Sequence, residues 1–191
     1  MIPTERAGLR LFGVEDGSFE AFPTGEKGYC FLCGVETKES RIVDIKLTKI
    51  QVDGFDATEK LLSMLEAFEG DAVILGGITF AGFNIVDPVK VHRETGTPVI
   101  VYSGEEPDNE SVLNALKAHF GDWRERWKII QSLGPIYTAK PFHGEPPVYF
   151  EVVGGTREWG EKILAASAAV SRIPEPVRIA GIIARGLSPA C

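Results

Sequence analysis

Two short apolar segments, 71–76 and 97–102, lie on either side of a stretch with helical character at about 84–94. Both segments are rich in Val and Ile and are bounded by turn-forming residues, which is typical of strands buried at the centre of a sheet. Strand, helix and strand at this spacing predict a βαβ unit with parallel strands and a right-handed crossover. The chain is therefore expected to be an α/β protein.

The segments before this unit predict three antiparallel strands and a helix. The first two strands are expected at 9–14 and 28–36. In the third, 41–52, Val43, Ile45 and Leu47 alternate with polar residues, which indicates a half-buried antiparallel strand. A helix follows at 56–68, with Asp56 as its N-cap and Glu59 at the capping-box position.

The rest of the chain predicts a strand at 147–153 and helices at 111–120, 122–133, 157–170 and 174–184. No repeat, low-complexity tract or linker interrupts the pattern. A length of 191 residues is ample for one core but short for two. We expect a single domain, 1–191, with a mixed sheet and helices on both of its faces.

The composition restricts the partners and the compartment. A net charge of −7 argues against tight, non-specific binding of nucleic acid, although a carboxylate site that recruits cations remains compatible with it. The basic residues Arg124, Arg126 and Lys128 form a strip that could help to bind nucleic acid, but they are expected on a solvated helix face. Charged residues near the start and the lack of a long apolar run predict a cytoplasmic protein that binds no membrane. Three cysteines do not form a disulfide framework, and Cys30 and Cys33 should face opposite sides of their strand as packing residues.

Acidic residues occur where the predicted elements begin or end. Glu15 and Asp16 follow the first strand, Asp53 and Asp56 flank the start of the first helix, and Glu59 lies one turn into it. Ligands of open α/β sheets bind at such edges, and converging carboxylates there would hold Mg²⁺ or Mn²⁺. The candidate catalytic and metal-binding set is Glu15, Asp16, Asp56 and Glu59. Turn formation and helix capping explain the same residues individually.

The second candidate is a glycine-rich loop after the central strand, from Gly76 to Asn84. Glycines allow the backbone to approach a ligand, and a helix that begins at Asn84 would offer free N–H groups to an anion. Phe80 and Phe83 would stack on a base or belong to the core. The predicted substrate-binding residues are Gly76, Gly77, Thr79, Phe80 and Asn84.

These stretches resemble a largely archaeal family, domain of unknown function number ninety-nine, that is distantly related to endonuclease V. The matching segments are Leu11–Gly17, Val52–Lys60, Leu75–Asp87, Thr95–Val101 and Ile173–Ala180. The resemblance implies a ribonuclease-H-like fold and a Mg²⁺-dependent nuclease that cuts near a deaminated adenine base. It also implies metal ligands at Glu15, with Asp16 adjacent, and at Glu59 or Asp56.

The chain departs from the endonuclease V pattern at three places. Gly76 stands where the nuclease has an aspartate at the end of its central strand, and Val153–Thr156 lacks its late histidine. The proline and aromatic wedge of the nuclease corresponds to Ile50–Asp53. The sequence therefore leaves three hypotheses: a metal-dependent nuclease or phosphodiesterase with a rearranged carboxylate set, an inactive module that binds modified nucleotides or nucleic acid, and an oligomeric partner-binding protein such as a homodimer.

Overall fold

The computed structural model describes residues 8–20, 28–39 and 41–188. Its strands are β1 (Arg10–Asp16), β2 (Tyr29–Lys38), β3 (Arg41–Gln51), β4 (Ala72–Leu75), β5 (Thr79–Phe80), β6 (Asn84–Ile85), β7 (Val99–Ser103), β8 (Tyr137–Ala139) and β9 (Val148–Val153). Its helices are α1 (Ala57–Leu65), α2 (Pro88–Thr95), α3 (Asn109–His119), α4 (Trp123–Gln131), α5 (Arg157–Ser167) and α6 (Glu175–Leu187).

Seven strands form one mixed sheet in the order β3-β2-β1-β4-β7-β9-β8. Strands β1, β2 and β3 are antiparallel neighbours, whereas β1, β4 and β7 run parallel. Strands β9 and β8 complete the sheet in antiparallel orientation. The predicted antiparallel opening and the parallel β4-α2-β7 unit are confirmed. The small β5–β6 hairpin between β4 and α2, and the strand β8, were not predicted.

Helices cover both faces of the sheet because successive side chains of each central strand are buried on opposite sides. On one face Phe12 and Val14 of β1 pack with Leu61 of α1 and Val91 of α2. On the other face Leu11 packs with residues of α5 and α6. The two described cysteines follow this alternation, since Cys30 lies in the α1 core and Cys33 packs against α6. The prediction that these thiols diverge is confirmed.

The outermost strand, β3, differs from the sequence-based expectation. Its antiparallel pairing was predicted correctly, but Val43, Ile45 and Leu47 are 51%, 42% and 44% exposed rather than buried. The alternation correctly indicated a strand, yet it could not indicate whether a helix covers the apolar side. Helix α6 lies over β1 and β2 and leaves the matching side of β3 uncovered.

Several predicted helix bounds were also wrong. Helix α1 ends at Leu65, before the expected Phe68, and α5 ends at Ser167 rather than Val170. None of the helices described by the structure is long and apolar enough to span a membrane.

Candidate functional site

The candidate site lies at the carboxyl end of β1, where Glu15 and Asp16 are the last two residues of the strand. Val14 pairs with Leu75 in the parallel ladder, so Glu15 lies beside Gly76 just beyond the end of β4. Successive residues of a strand alternate in face, but at this strand end the Glu15 and Asp16 side chains share a hydrogen bond. Both were predicted as site residues, and β1 extends far enough to include them.

Glu15 occupies space that two glycines leave open. A Cβ built on Gly76 would lie 2.0 Å from Oε2 of Glu15, and a Cβ on Gly181 of α6 would lie 2.9 Å from its Cγ. The carboxyl group of Glu15 is thus held between the end of β4 and helix α6. Any larger residue at position 76 would displace it, so Gly76 and the observed position of Glu15 depend on each other.

Asp16 binds the loop that carries the β5–β6 hairpin. Its Oδ2 atom accepts a hydrogen bond from the backbone N–H of Ala81 at 2.5 Å. Ala81 has φ = 45°, a left-handed conformation that costs energy in a non-glycine residue. The contact with Asp16 helps to stabilise this conformation, and it fixes one oxygen of the carboxylate.

The two carboxyl groups share a poorly solvated environment. Burial raises the pKa of Glu15 from 4.5 to about 8, and the nearby charge of Asp16 adds to the effect. Burial also raises the pKa of Asp16, while Arg185 of α6 acts in the opposite direction on both acids. Without a cation, the pair is therefore expected to retain a proton at neutral pH.

The other two predicted metal ligands are engaged elsewhere. The Oδ1 atom of Asp56 accepts hydrogen bonds from the Gln51 N–H at 3.2 Å and from the Asn84 side-chain amide at 2.6 Å. Glu59 is exposed and forms an ion pair with Lys90 of α2. Within the described parts of the chain, no three or more His, Cys, Asp and Glu side chains are grouped so that they could hold a metal ion. The four predicted acids do not form one shared site.

Asp56 and Glu59 also differ from the predicted capping box. The Asp56 side chain makes no cap hydrogen bond to α1, and the N–H of Ala57 is instead satisfied by Oδ1 of Asn84 at 2.9 Å. Asn84 is fully buried and also donates to the Gln51 carbonyl at 2.8 Å. The sequence pattern located the helix start correctly, but Asn84 of the distant strand β6 caps the helix.

The glycine-rich loop serves a different purpose from the predicted one. Asn84 lies in β6, and α2 begins at Pro88, because Asp87 caps that helix through the Lys90 N–H. A helix-terminal anion site at Asn84 is therefore ruled out. Phe80 is only 1% exposed and belongs to the core, so it is not available for stacking. Gly76, Gly77 and Thr79 remain partly accessible beside the acidic pair.

Arg126 is a structural residue of this region that the sequence did not reveal. It was expected on a solvated helix face, but it is only 3% exposed and donates to the carbonyls of Gly54 and Phe83 at 2.8 and 2.5 Å. Asp53 accepts from the Phe83 N–H at 2.9 Å. Helix α4 thereby connects the segment before α1 to the loop that Asp16 binds. The amphipathic pattern of α4 contained no signal for this role.

Of the four predicted metal ligands, Glu15 and Asp16 are the two that the structure brings together. Mg²⁺ is commonly bound through one or two carboxylates, with water and substrate phosphate completing its coordination. Two half-buried acids whose pKa values are raised mainly by desolvation gain most from a cation that neutralises both charges. The pair lies at the strand end on which ligands of α/β sheets bind.

The fold is similar to those of two solved nucleases. Endonuclease V from Ciona intestinalis, in complex with a 24mer DNA containing an inosine, aligns with a TM-score of 0.59 over 94% of this chain and 85% of that chain, at 15% identity. The NurA nuclease from Sulfolobus solfataricus aligns with a TM-score of 0.55 over 94% and 80%, at 11% identity. At these identities the likeness establishes the fold alone.

The family follows from closer matches. Residues 7–188 match the family Endonuclease dU, and the chain belongs to that family. A UPF0215 protein of Pyrococcus furiosus is 39% identical over 96% of this chain and 94% of its own length. A protein of unknown function from Archaeoglobus fulgidus aligns with a TM-score of 0.83 over 95% of this chain and 99% of that chain, at 32% identity.

Proposed function

We propose that this protein is a divalent-metal-dependent endonuclease that cuts DNA at deoxyuridine. The observation that carries the proposal is the half-buried pair Glu15 and Asp16 at the carboxyl end of β1, in a chain of the Endonuclease dU family. The abbreviation dU in the family's description denotes deoxyuridine, the nucleoside of the deaminated base uracil. The structural relative from Ciona intestinalis was solved with DNA containing an inosine, another deaminated base.

The fold is, on this proposal, ribonuclease-H-like. Three antiparallel strands at one side, followed by parallel strands β4 and β7, support that assignment. In this arrangement the end of β1 lies at the centre of the sheet, next to the end of β4. An acid at that position has a strand on each side, β2 and β4, and this suits the binding of a cation together with a phosphodiester.

Glu15 and Asp16 would hold one Mg²⁺ or Mn²⁺ ion. Such an ion lowers the pKa of a bound water and stabilises charge on the phosphate and the leaving oxygen. Glu15 would give up its proton when the cation binds, since the cation offsets the burial and the repulsion that raise its pKa. Arg185, exposed at the end of α6 and close enough to act on both acids, is placed to meet a phosphate.

The carboxylate set differs from that of endonuclease V. The nuclease carries an aspartate at the position of Gly76, whereas here the space next to Gly76 contains the Glu15 carboxyl group. An aspartate at position 76 and Glu15 in its observed conformation exclude each other. We infer that Glu15 supplies the charge that the aspartate supplies in the nuclease, from the neighbouring strand.

The proposal is tested with DNA duplexes and single strands that carry one deoxyuridine, one deoxyinosine or no modified base. Wild-type protein is incubated with each in the presence of Mg²⁺ or Mn²⁺, and the variant Glu15→Gln, Asp16→Asn is the control. We expect cleavage next to deoxyuridine that requires the metal and disappears in the double variant. Equal cleavage by the variant, or cleavage without regard to the base, would refute the proposal.

A binding module without catalysis is the second candidate, because Asp16 and Asp53 both accept backbone hydrogen bonds from the loop at 81–83. Acids engaged in holding a loop have fewer oxygens free for a cation. In that case the protein would bind deoxyuridine-containing DNA equally well with and without a chelator and would leave it uncut. Fluorescence anisotropy combined with the cleavage assay separates the two functions.

A further inference from the structure

The exposed side of β3 is an apolar surface that the proposed activity does not use. Four apolar residues of this strand are between 42% and 51% exposed: Ile42, Val43, Ile45 and Leu47. Long, apolar edge strands are rare in stable monomers because their open backbone groups pair readily with another chain. We refer to these four residues as the β3 surface.

The β3 surface continues the core that lies under α6. Ile45 pairs with Val35 and Leu47 pairs with Cys33, so each shares a face with a fully buried residue of β2. Val35 and Cys33 are covered by α6, where Ile179 and Ile183 remain partly buried at the border. The apolar layer therefore extends one strand beyond the helix that covers it.

The polar face of β3 carries opposite charges in a self-complementary arrangement. Asp44 and Lys46 lie two residues apart on the face opposite Ile45 and Leu47, with Oδ2 and Nζ separated by 4.0 Å. The backbone N–H of Ile45 donates a hydrogen bond to Oδ1 of Asp44 at 2.8 Å. The Asp44 carboxylate therefore binds one of the backbone N–H groups of this edge strand. The Nζ atom of Lys46 also donates a hydrogen bond to the Met64 carbonyl of α1 at 2.7 Å.

We propose that β3 pairs with β3 of a second copy of this chain, antiparallel about a two-fold axis at Ile45, to form a homodimer with one continuous sheet. A two-fold axis normal to the sheet keeps every side chain on its own face. Ile45 then meets the partner's Ile45, and Leu47 lies opposite the partner's Val43. Asp44 lies opposite the partner's Lys46, and this ion pair occurs twice.

The charges select this register over its neighbours. An axis at Asp44 would place two aspartates opposite each other, and an axis at Lys46 would place two lysines opposite each other, both of which are destabilising. An axis at Leu47 would oppose Asp44 with the partner's Ile50, which is buried, and would form no ion pair. Only the axis at Ile45 joins opposite charges on one face and apolar residues on the other.

The β2–β3 ladder limits how far the new pairing extends. Glu36 pairs with Asp44 and Thr37 pairs with Ile42, so Val43 is the additional residue of a β-bulge in β3. Arg41 pairs with Lys38 beyond this bulge and falls out of line with Lys49. The bulge therefore prevents Arg41 from lying directly opposite the like charge of the partner's Lys49. The paired segment is Val43–Leu47 of each copy.

Charge exchange between Asp44 and Lys46 tests the proposal. The wild-type protein, Asp44→Lys, Lys46→Asp and the double variant Asp44→Lys, Lys46→Asp are compared by sedimentation equilibrium over a range of protein concentrations. We expect a wild-type dimer, two single variants shifted strongly towards monomer because each opposes like charges, and a double variant that is dimeric again. Glu110→Lys, an exposed charge reversal on α3, is the matched control and should stay dimeric.

Any other result would overturn the proposal. A wild-type monomer at all concentrations would mean that β3 is free or serves another partner, such as a different protein. Dimers that tolerate both single variants would place the interface elsewhere on the molecule. Single variants that dissociate without rescue by the double variant would reject the register at Ile45. Circular dichroism of every variant verifies that the fold is retained, because Lys46→Asp and the double variant both lose the hydrogen bond from Lys46 to the Met64 carbonyl.

Discussion

At the scale of single residues, the position of Glu15 depends on the lack of a side chain at Gly76. The absence of a Cβ on Gly76 lets the carboxyl group of Glu15 approach the end of β4, where its burial raises the pKa to about 8. The resemblance to endonuclease V marked Gly76 as the place of a missing aspartate, and the glycine-rich pattern marked it as a substrate-binding residue. The sequence could not reveal that the side chain of a neighbouring strand fills the same space, since that depends on the β1–β4 register.

Substitution of Gly76 by alanine tests this dependence. A Cβ at position 76 would overlap Oε2 of Glu15, the mobile end of a long side chain, so the carboxyl group is expected to move while the fold persists. Displacement of a catalytic group by about 1 Å costs roughly a hundredfold in rate. We expect Gly76→Ala to lose about that factor in cleavage of deoxyuridine-containing DNA, with a nearly unchanged thermal unfolding midpoint.

The matched control for this substitution is Gly121→Ala, because a Cβ at Gly121 meets nothing within 4 Å. Full activity of Gly76→Ala would show that the position of Glu15 is irrelevant to catalysis. Loss of the folded state in Gly76→Ala alone would assign the glycine to packing instead.

Glu151 of β9 gives a prediction on pH that is separate from the candidate site. It is nearly buried, and burial raises its pKa from 4.5 to about 7. Between these values the folded protein binds more protons than the unfolded chain, so the free energy of unfolding falls as the pH rises. The stabilisation is complete below pH 4.5 and is lost as the pH rises through about 7.

Urea unfolding of wild type and Glu151→Gln measures this effect. The glutamine variant cannot titrate, so its free energy of unfolding should exceed that of the wild type more at about pH 8 than at about pH 5. Glu15 and Asp16 titrate in both proteins and cancel in the comparison. A difference between the two proteins that is the same at both pH values would show that Glu151 titrates as an exposed acid does.

At the scale of elements, the loop that follows β4 is held in place by contacts from three distant parts of the chain. Asp16 of β1 and Asp53 accept its backbone N–H groups, and Arg126 of α4 donates to its Phe83 carbonyl. The sequence predicted the glycine-rich loop and the nearby acids. It did not predict that the acids bind the loop, because each contact spans between 30 and 65 residues of sequence.

Removal of Arg126 should therefore disorganise this loop. Arg126→Met retains most of the apolar stem but leaves the Gly54 and Phe83 carbonyls without their donor. Buried carbonyls that lose a partner are costly, and we expect a loss of about 3 kcal/mol in the free energy of unfolding. Chemical denaturation gives the value, and Arg124→Met on the exposed side of α4 is the control, expected to change little. Equal effects of the two substitutions would contradict the structural role.

At the scale of the whole molecule, periodicity alone predicted most of the architecture. The alternation in β3, the apolar β4 and β7 and the helical pattern between them specified strand directions and the parallel unit. Two features escaped prediction for physical reasons. The exposure of Ile45 and Leu47 depends on where α6 packs, and the dispersal of Asp56 and Glu59 depends on partners that are remote in sequence.

We propose that Glu15 and Asp16 hold the metal ion that cleavage at deoxyuridine requires. The most direct measurement is the single-turnover rate of cleavage of a deoxyuridine-containing DNA duplex with saturating protein and Mn²⁺, for the wild type, Glu15→Gln and Asp16→Asn, with DNA affinity measured in parallel. We expect either substitution to lower the rate by about two orders of magnitude or more while the affinity changes little. A wild-type rate that either variant matches would contradict the proposal.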